Sequence, residues 1–334
     1  MMKHMVMATC KAIVLMLLIL VAPALSGNMM SGPLRYDYYS SSCPKAEAVV
    51  RKTTGEIITR DPTMGAAFLM MFFFDCFTQG CDASLLLDQT EKDAWVEKSF
   101  MSSYLRAYGA VDEIKAAVEA VCPGVVSCAD ILALAARDST TISGGFSFPM
   151  PTGRRDAMVS IMYYDFEHSV PDPYSGLQTL IDSFAIRGLD VDDVVALSGA
   201  HSFGMSHCIG VVNRLYPTKD ATMNTTYAEE LRKVCPPGSG NEWVGPLFNN
   251  NRVTDPNVLS NQYYSNVLSG QVLFMSDQTL TSRNDTAAKV AFYAGNPLAW
   301  KVHFSAAMVK MSGLHVLTGT QGEVRKVCNA INTK

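Results

Sequence analysis

The chain has 334 residues, 48% of them hydrophobic, a formal net charge of -4 and nine cysteines. That length supports one large domain or two intimate ones with ample core. The mildly acidic balance argues against nucleic acid as a partner, and beyond the N-terminal segment no stretch has the look of a membrane span.

In chain order, Lys3 and Lys11 precede an apolar run from Ala12 to Ala22, and Ala24, Leu25 and Ser26 put small residues before Gly27. This is the pattern of a secretory signal peptide, residues 1-26, and the run is too short to cross a bilayer. Cleavage there leaves 308 residues, 334 less 26, with a charge of -6 because two lysines and no acids depart. Cys10 departs too, so an even eight remain: Cys43, Cys76, Cys81, Cys122, Cys128, Cys208, Cys235 and Cys328. An even count on the secretory route reads as four disulfides, with the pairing left open by sequence alone.

Apolar residues then recur at helical spacing and strand alternation is hard to find, so the fold class is all-α. Ala46, Val49, Val50, Thr53, Ile57 and Ile58 make one face of a first helix, and Asp61-Pro62 is expected to cap and open a second running into Cys76. Ser127 to Asp130 forms a capping-box pattern before Ile131, and Ser175 to Gln178 forms another, for a helix ending near Gly188. A short helix from Asp190 to Gly199 leads into His201. Between the helices opened at Ser127 and Ser175, the Gly- and Pro-rich stretch from Ser143 to Pro173 cannot be continuous helix. It marks a boundary between a half at 27-150 and a half at 151-334 that could close around a cofactor.

Asp75, Asp82 and Ser84 place oxygen donors within ten residues, and Gly80 lets the backbone turn so that the carbonyls of Thr78 and Gly80 face the same point. Such a mixture suits Ca²⁺, although a solvated acidic turn accounts for it as well. Asn224-Thr225-Thr226 and Asn284-Asp285-Thr286 are glycosylation sequons.

Two segments, Phe68 to Ser84 and Ala196 to Gly204, resemble the signature segments of the secreted plant haem peroxidases, class III. Ser127-Cys128-Ala129-Asp130, Gly153-Arg154-Arg155-Asp156, Val170-Pro171-Asp172-Pro173 and the eight cysteines extend the resemblance over almost the whole mature chain. It implies a two-domain helical fold with haem b between distal and proximal halves, and disulfides Cys43–Cys122, Cys76–Cys81, Cys128–Cys328 and Cys208–Cys235. It also implies His201 as axial iron ligand with Asp277 accepting its other ring N–H, an Asp130–Arg154 ion pair, and Pro171 lining the reducing-substrate channel. A distal calcium would be held by Asp75, Thr78, Gly80, Asp82 and Ser84, with Glu91 reaching it through water. The family's second calcium is not expected. Ser202 matches its first ligand, but Arg252 and Ser260 stand where the family has aspartates and Asp255 where it has a threonine, and Arg252 is expected to replace the ion's charge by pairing with Asp255.

The departure that matters most is distal. Where the family carries an arginine and, four residues on, a histidine, this chain has Met70 and Phe74, and between His4 and His168 there is no histidine. A positioned acid–base group is worth roughly 10² to 10⁴ in rate and an electrostatic donor roughly 10² to 10³. The resemblance therefore implies a secreted, glycosylated, monomeric haem protein of the apoplast or cell wall, related to enzymes that oxidise phenolic donors with hydrogen peroxide in peroxide catabolism and the oxidative stress response. Its turnover is expected to be strongly reduced unless Glu97 or Glu91 substitutes. The competing readings are a non-catalytic extracellular protein that binds haem, a small ligand or a wall polymer, and slow oxidase or radical chemistry at an exposed haem edge.

Overall fold

The computed structural model describes residues 34-88, 98, 105-143, 145-160, 170-239, 248-249 and 252-333. The leader (residues 1-26), Glu91, Glu97 and His168 lie outside these. All described residues belong to one compact unit, Pro33–Lys334.

Helix α1, Ala46–Arg60, buries Ala46, Val50, Thr53, Thr54, Ile57 and Ile58, the expected face with Thr54 added and Val49 only half-buried. The second helix, α2, opens at Met64 rather than at Asp61-Pro62 and runs to Thr78. The Asp61 carboxylate is engaged by the Thr63 N–H (3.0 Å) and hydroxyl (2.6 Å), which closes a separate turn before the helix. α2 has no charged residue before Asp75 and is apolar around most of its circumference, so it must be enclosed on several sides. Helices α3, Tyr108–Glu119, and α4, Cys128–Ile142, complete this group, with α1, α2 and α3 all packed on α4.

The cap of α4 forms by half. Ser127 accepts from the Asp130 N–H at 3.1 Å, but the Asp130 carboxylate turns away to Tyr39, Gly153 and Arg154. Asp130 and Arg154 form the expected ion pair at 2.7 Å, both fully buried, and Arg154 also donates to the carbonyls of Pro151 and Ser312. Removing either partner would strand a buried charge, at a cost of about 3–5 kcal/mol. Within Ser143–Pro173 the described residues contain no helix.

The later helices are α5, Leu177–Ile186; α6, Val191–Ser198; α7, Val212–Leu215; α8, Thr225–Val234; α9, Gln262–Leu268; α10, Met275–Gln278; α11, Asn284–Gly295; and α12, Pro297–Met311. The Ser175 box does not form. Gly176 is the N-cap of α5, the Leu177 N–H goes to Thr279 Oγ1 at 3.0 Å, and the Ser175 hydroxyl donates to Asp172. In α6 the reciprocal box is complete, between Asp190 and Asp193. α6 packs against α5, α11 and α12, and α9 packs on α11. Among the described residues the strands are two-residue pieces, β1 Met205–Ser206 paired antiparallel with β2 Phe248–Asn249.

Four disulfides join Cys43 to Cys122, Cys76 to Cys81, Cys128 to Cys328 and Cys208 to Cys235. One large apolar cluster runs through both groups of helices. A smaller one, around Val211, Leu215, Tyr227, Leu231 and Leu273, is closed by Cys208–Cys235.

Candidate functional site

Four α2 residues, Phe68, Leu69, Met71 and Phe72, are buried, whereas Met70 stays 39% exposed. Position 74 follows one turn later on the same face. Phe73 and Phe74 are half-buried and meet edge to face, centroids 5.6 Å apart. Phe73 stacks on Phe77, and Phe77 packs against Phe184 of α5 beneath the Arg187 guanidinium. From position 64 to position 74 the helix carries no titratable side chain.

His201 lies on the 3₁₀ turn Gly199–Ser202 that follows α6. The last carbonyls of α6 are fastened from outside: Trp300 Nε1 donates to Ala196 O at 3.1 Å, and the Tyr264 hydroxyl reaches Val195 O and Ala196 O. Gly199 is needed here, because a Cβ would come within 2.6 Å of both Trp300 Nε1 and the Tyr264 hydroxyl. Beyond the turn, the chain packs on the start of α2. A Cβ on Gly65 would meet the Phe203 ring at 2.7 Å, and one on Gly204, at φ +101°, would lie 3.0 Å from the Ala66 side chain. The two motif-bearing segments are thus brought into contact.

His201 Nδ1 is 2.7 Å from Asp277 Oδ1, while its side chain remains 42% exposed. Enclosure lowers its pKa, but the Asp277 charge and hydrogen bond outweigh this and hold it above the usual value. With Nδ1–H committed to Asp277, Nε2 is the ring nitrogen that could hold a metal. Pro171 is half-buried, and the carbonyl of Pro173 accepts from the N–H of Ser276, next to Asp277. The residues fit a haem: an oriented imidazole on one segment, and on the helix it touches a partly uncovered apolar face formed by Met70, Phe73 and Phe74.

The loop after α2 gathers buried oxygen atoms. Asp75, Thr78, Asp82 and Ser84 are all buried, and the Ser84 hydroxyl has no hydrogen-bond partner among the described residues. Asp75 Oδ2 accepts from the Ala83 N–H and Asp82 Oδ1 from the Ser84 N–H, both at 3.0 Å, and Gly80 O accepts from the Asp82 N–H. Gly80 admits no side chain, since a Cβ would lie 2.7 Å from His315 O. The fully buried Arg325 donates to Ala83 O, and its backbone N–H bonds Asp156. Burial raises the Asp82 pKa, against the lowering by Ser84 and Arg325. Among the described residues no group of three or more His, Cys, Asp or Glu gathers as a metal centre. The orphaned Ser84 hydroxyl and the two buried carboxylates nevertheless fit a hard cation.

The second calcium position does not fit. The Ser202 hydroxyl donates to Gly199 O and accepts from the Ser260 N–H at 2.9 Å, so protein groups fill it. Arg252, at φ +48°, pairs with Glu230 of α8 at 2.7 Å and not with Asp255, whose carboxylate turns back to the Asn257 N–H. The local Asx turn at Asp255 takes the carboxylate first, leaving the guanidinium to the acidic face of α8.

Sequence reasoning passed over Tyr263, Phe274 and Arg325. Tyr263 donates to Asp277 Oδ1 at 2.8 Å, and Phe274 lies edge to face with His201 at 5.1 Å. Only the Tyr263-Tyr264 pair, apolar bodies with hydroxyls that need partners when buried, offered a signal.

A family model described as "Peroxidase" matches residues 50-296 of the chain. Among curated relatives, "Peroxidase 2" of Zea mays is 44% identical over 94% of this chain and 94% of its own length. "Peroxidase 12" of Arabidopsis thaliana is 40% identical over 90% of this chain and 83% of its own, and "Cationic peroxidase SPC4" of Sorghum bicolor 40% identical over 93% and 86%.

Proposed function

From the premise that this chain belongs to the plant peroxidase family, we propose that it is a secreted haem b protein, with its haem between the halves 27-150 and 151-334, whose turnover of hydrogen peroxide is strongly reduced. The observation that carries the reading is the pair of side chains one turn apart on α2, a thioether at Met70 and a phenyl ring at Phe74.

A haem bound there supplies the redox-active iron for reducing peroxide and oxidising donors. His201 would hold it through Nε2, while Asp277 would fix the ring and make it a more basic ligand. Pro171 lines the path of a small phenolic donor. Cleaving peroxide calls in addition for a proton carrier and for a stabiliser of the negative charge that develops. Met70, Phe73 and Phe74 carry no proton and stabilise no anion. Losing both functions costs on the order of 10⁴ to 10⁷ in rate, as an upper guide, since such groups act as a unit.

A calcium ion would be held by Asp75, Thr78, Gly80, Asp82 and Ser84, with Glu91 outside the described residues as the ligand through water. Four disulfides support an oxidising, extracellular setting, the apoplast or cell wall, with glycans at Asn224 and Asn284. Among the described residues no helix is long and apolar enough to cross a membrane.

Rapid mixing of the haem-loaded protein with peroxide, followed at the Soret band, tests the reading. A slow reaction with little pH dependence between about pH 5 and 8 is expected, because no titrating group lies on this face of α2. A rate typical of an efficient peroxidase would sink it, and Glu97→Gln would then be the next variant to measure. No reaction at all would favour a non-catalytic extracellular haem or ligand-binding protein, the second reading that the apolar face supports.

A further inference from the structure

Asp277 is buried, and a single oxygen of its carboxylate serves two side chains. Oδ1 lies 2.7 Å from His201 Nδ1 and 2.8 Å from the Tyr263 hydroxyl. Tyr263 is fully buried on α9, and its ring stands edge to face with His201, centroids 6.4 Å apart. An ionised carboxylate only accepts, so the phenol must donate. Burial, and after it the Asp277 charge, push the Tyr263 pKa well above the usual tyrosine value, which keeps the proton on the phenol.

The carboxylate has little freedom to escape this division. The Ser276 N–H is bound to Pro173 O, and Arg214 Nη1 donates to the carbonyls of Val272, Leu273 and Phe274, which fixes the approach to α10. An acceptor oxygen that shares its charge between two donors binds each less strongly than it would bind one alone. The Nδ1 proton therefore stays more fully with the imidazole than in a pair in which Asp277 served His201 alone.

We propose that Tyr263 is a positioning residue that moderates the Asp277–His201 pair, drawing charge from Oδ1 so that His201 remains a neutral imidazole with limited imidazolate character. The inference rests on the reading of His201 as the iron ligand. A more imidazolate-like ligand strengthens the iron–nitrogen bond and favours the ferric state, and the Tyr263 hydroxyl opposes both.

The test is Tyr263→Phe, which removes the hydroxyl and keeps the ring, in the haem-loaded full chain. Resonance Raman of the ferrous form should show the iron–histidine stretch moved to higher frequency, and spectroelectrochemistry should show a lower ferric/ferrous midpoint potential than in the native chain. Site-specific replacement of Tyr263 by 3-fluorotyrosine, a stronger donor of the same shape, should move both readouts the opposite way. This second variant also decides the matter if the phenylalanine variant fails to fold or to take up haem. A phenylalanine variant of lower thermal stability whose stretch and potential are unchanged would mean that the hydroxyl only fills a hydrogen bond, and so would fluorotyrosine with no shift; either overturns the proposal. Absence of any iron–histidine band from the native haem-loaded chain would instead refute His201 as the ligand, and the inference would fall with it.

Discussion

Met70 and Phe74 project from one face of α2, and their chemistry, more than their size, sets what the site can do. Met70→Arg together with Phe74→His puts a charge stabiliser and a proton carrier on that face. The double variant should react with peroxide at least roughly 10² faster than the native chain, measured by rapid mixing. An unchanged rate would mean that the face does not look onto the reacting centre. On the other segment, His201→Ala should abolish or greatly weaken haem incorporation, as read from the Soret absorbance of the purified chain. Retained haem with an unaltered spectrum would remove His201 from the ligand role.

The elements that present these residues depend on caps and glycines that tolerate no bulk. α6 sets the position of the His201 turn, and its start is held by the Asp190–Asp193 box and by Lys310, which contacts both carboxylates. Burial raises the Asp190 pKa, but the N–H of Asp193 and the Lys310 charge outweigh this and hold it below the usual carboxylate value. A group depressed in the folded state adds stability above its unfolded pKa, and that stability is lost as pH falls through the folded value. Loss of the N-cap in Asp190→Ala should cost about 1 kcal/mol of unfolding free energy at neutral pH. The difference should shrink once the pH drops below the normal carboxylate range, as denaturant titrations at several pH values would show. A deficit independent of pH would assign the effect to lost packing.

Across the whole molecule, charge is arranged unequally around the two candidate calcium positions. Beside α2, the buried carboxylates of Asp75, Asp82 and Asp156 act together on the buried guanidinium of Arg325, an excess of negative charge that a divalent ion would balance. Beside His201, Ser202 and Ser260 bond each other directly, and Arg252 already sits with Glu230. Metal analysis of the desalted protein should find about one Ca²⁺ per chain. Two would show that carboxylates outside the described residues complete the second site.

Sequence by itself determined the class of fold, because helical periodicity and cysteine count are local or additive properties of the chain. It also singled out Met70, Phe74, His201 and the oxygen-rich loop, whose residue types carry the chemistry wherever they are placed. Capping was legible only where the side chain had no better partner. Ser127 capped as its spacing suggests, whereas Ser175 did not, because Thr279, 102 positions away, took the N–H of Leu177. Tertiary structure alone gave Arg252 to Glu230 and brought the hydroxyl of Tyr263 to the oxygen of Asp277 that His201 uses. Such pairings are decided by which buried polar groups reach each other once the helices pack, and nothing in sequence spacing measures that distance.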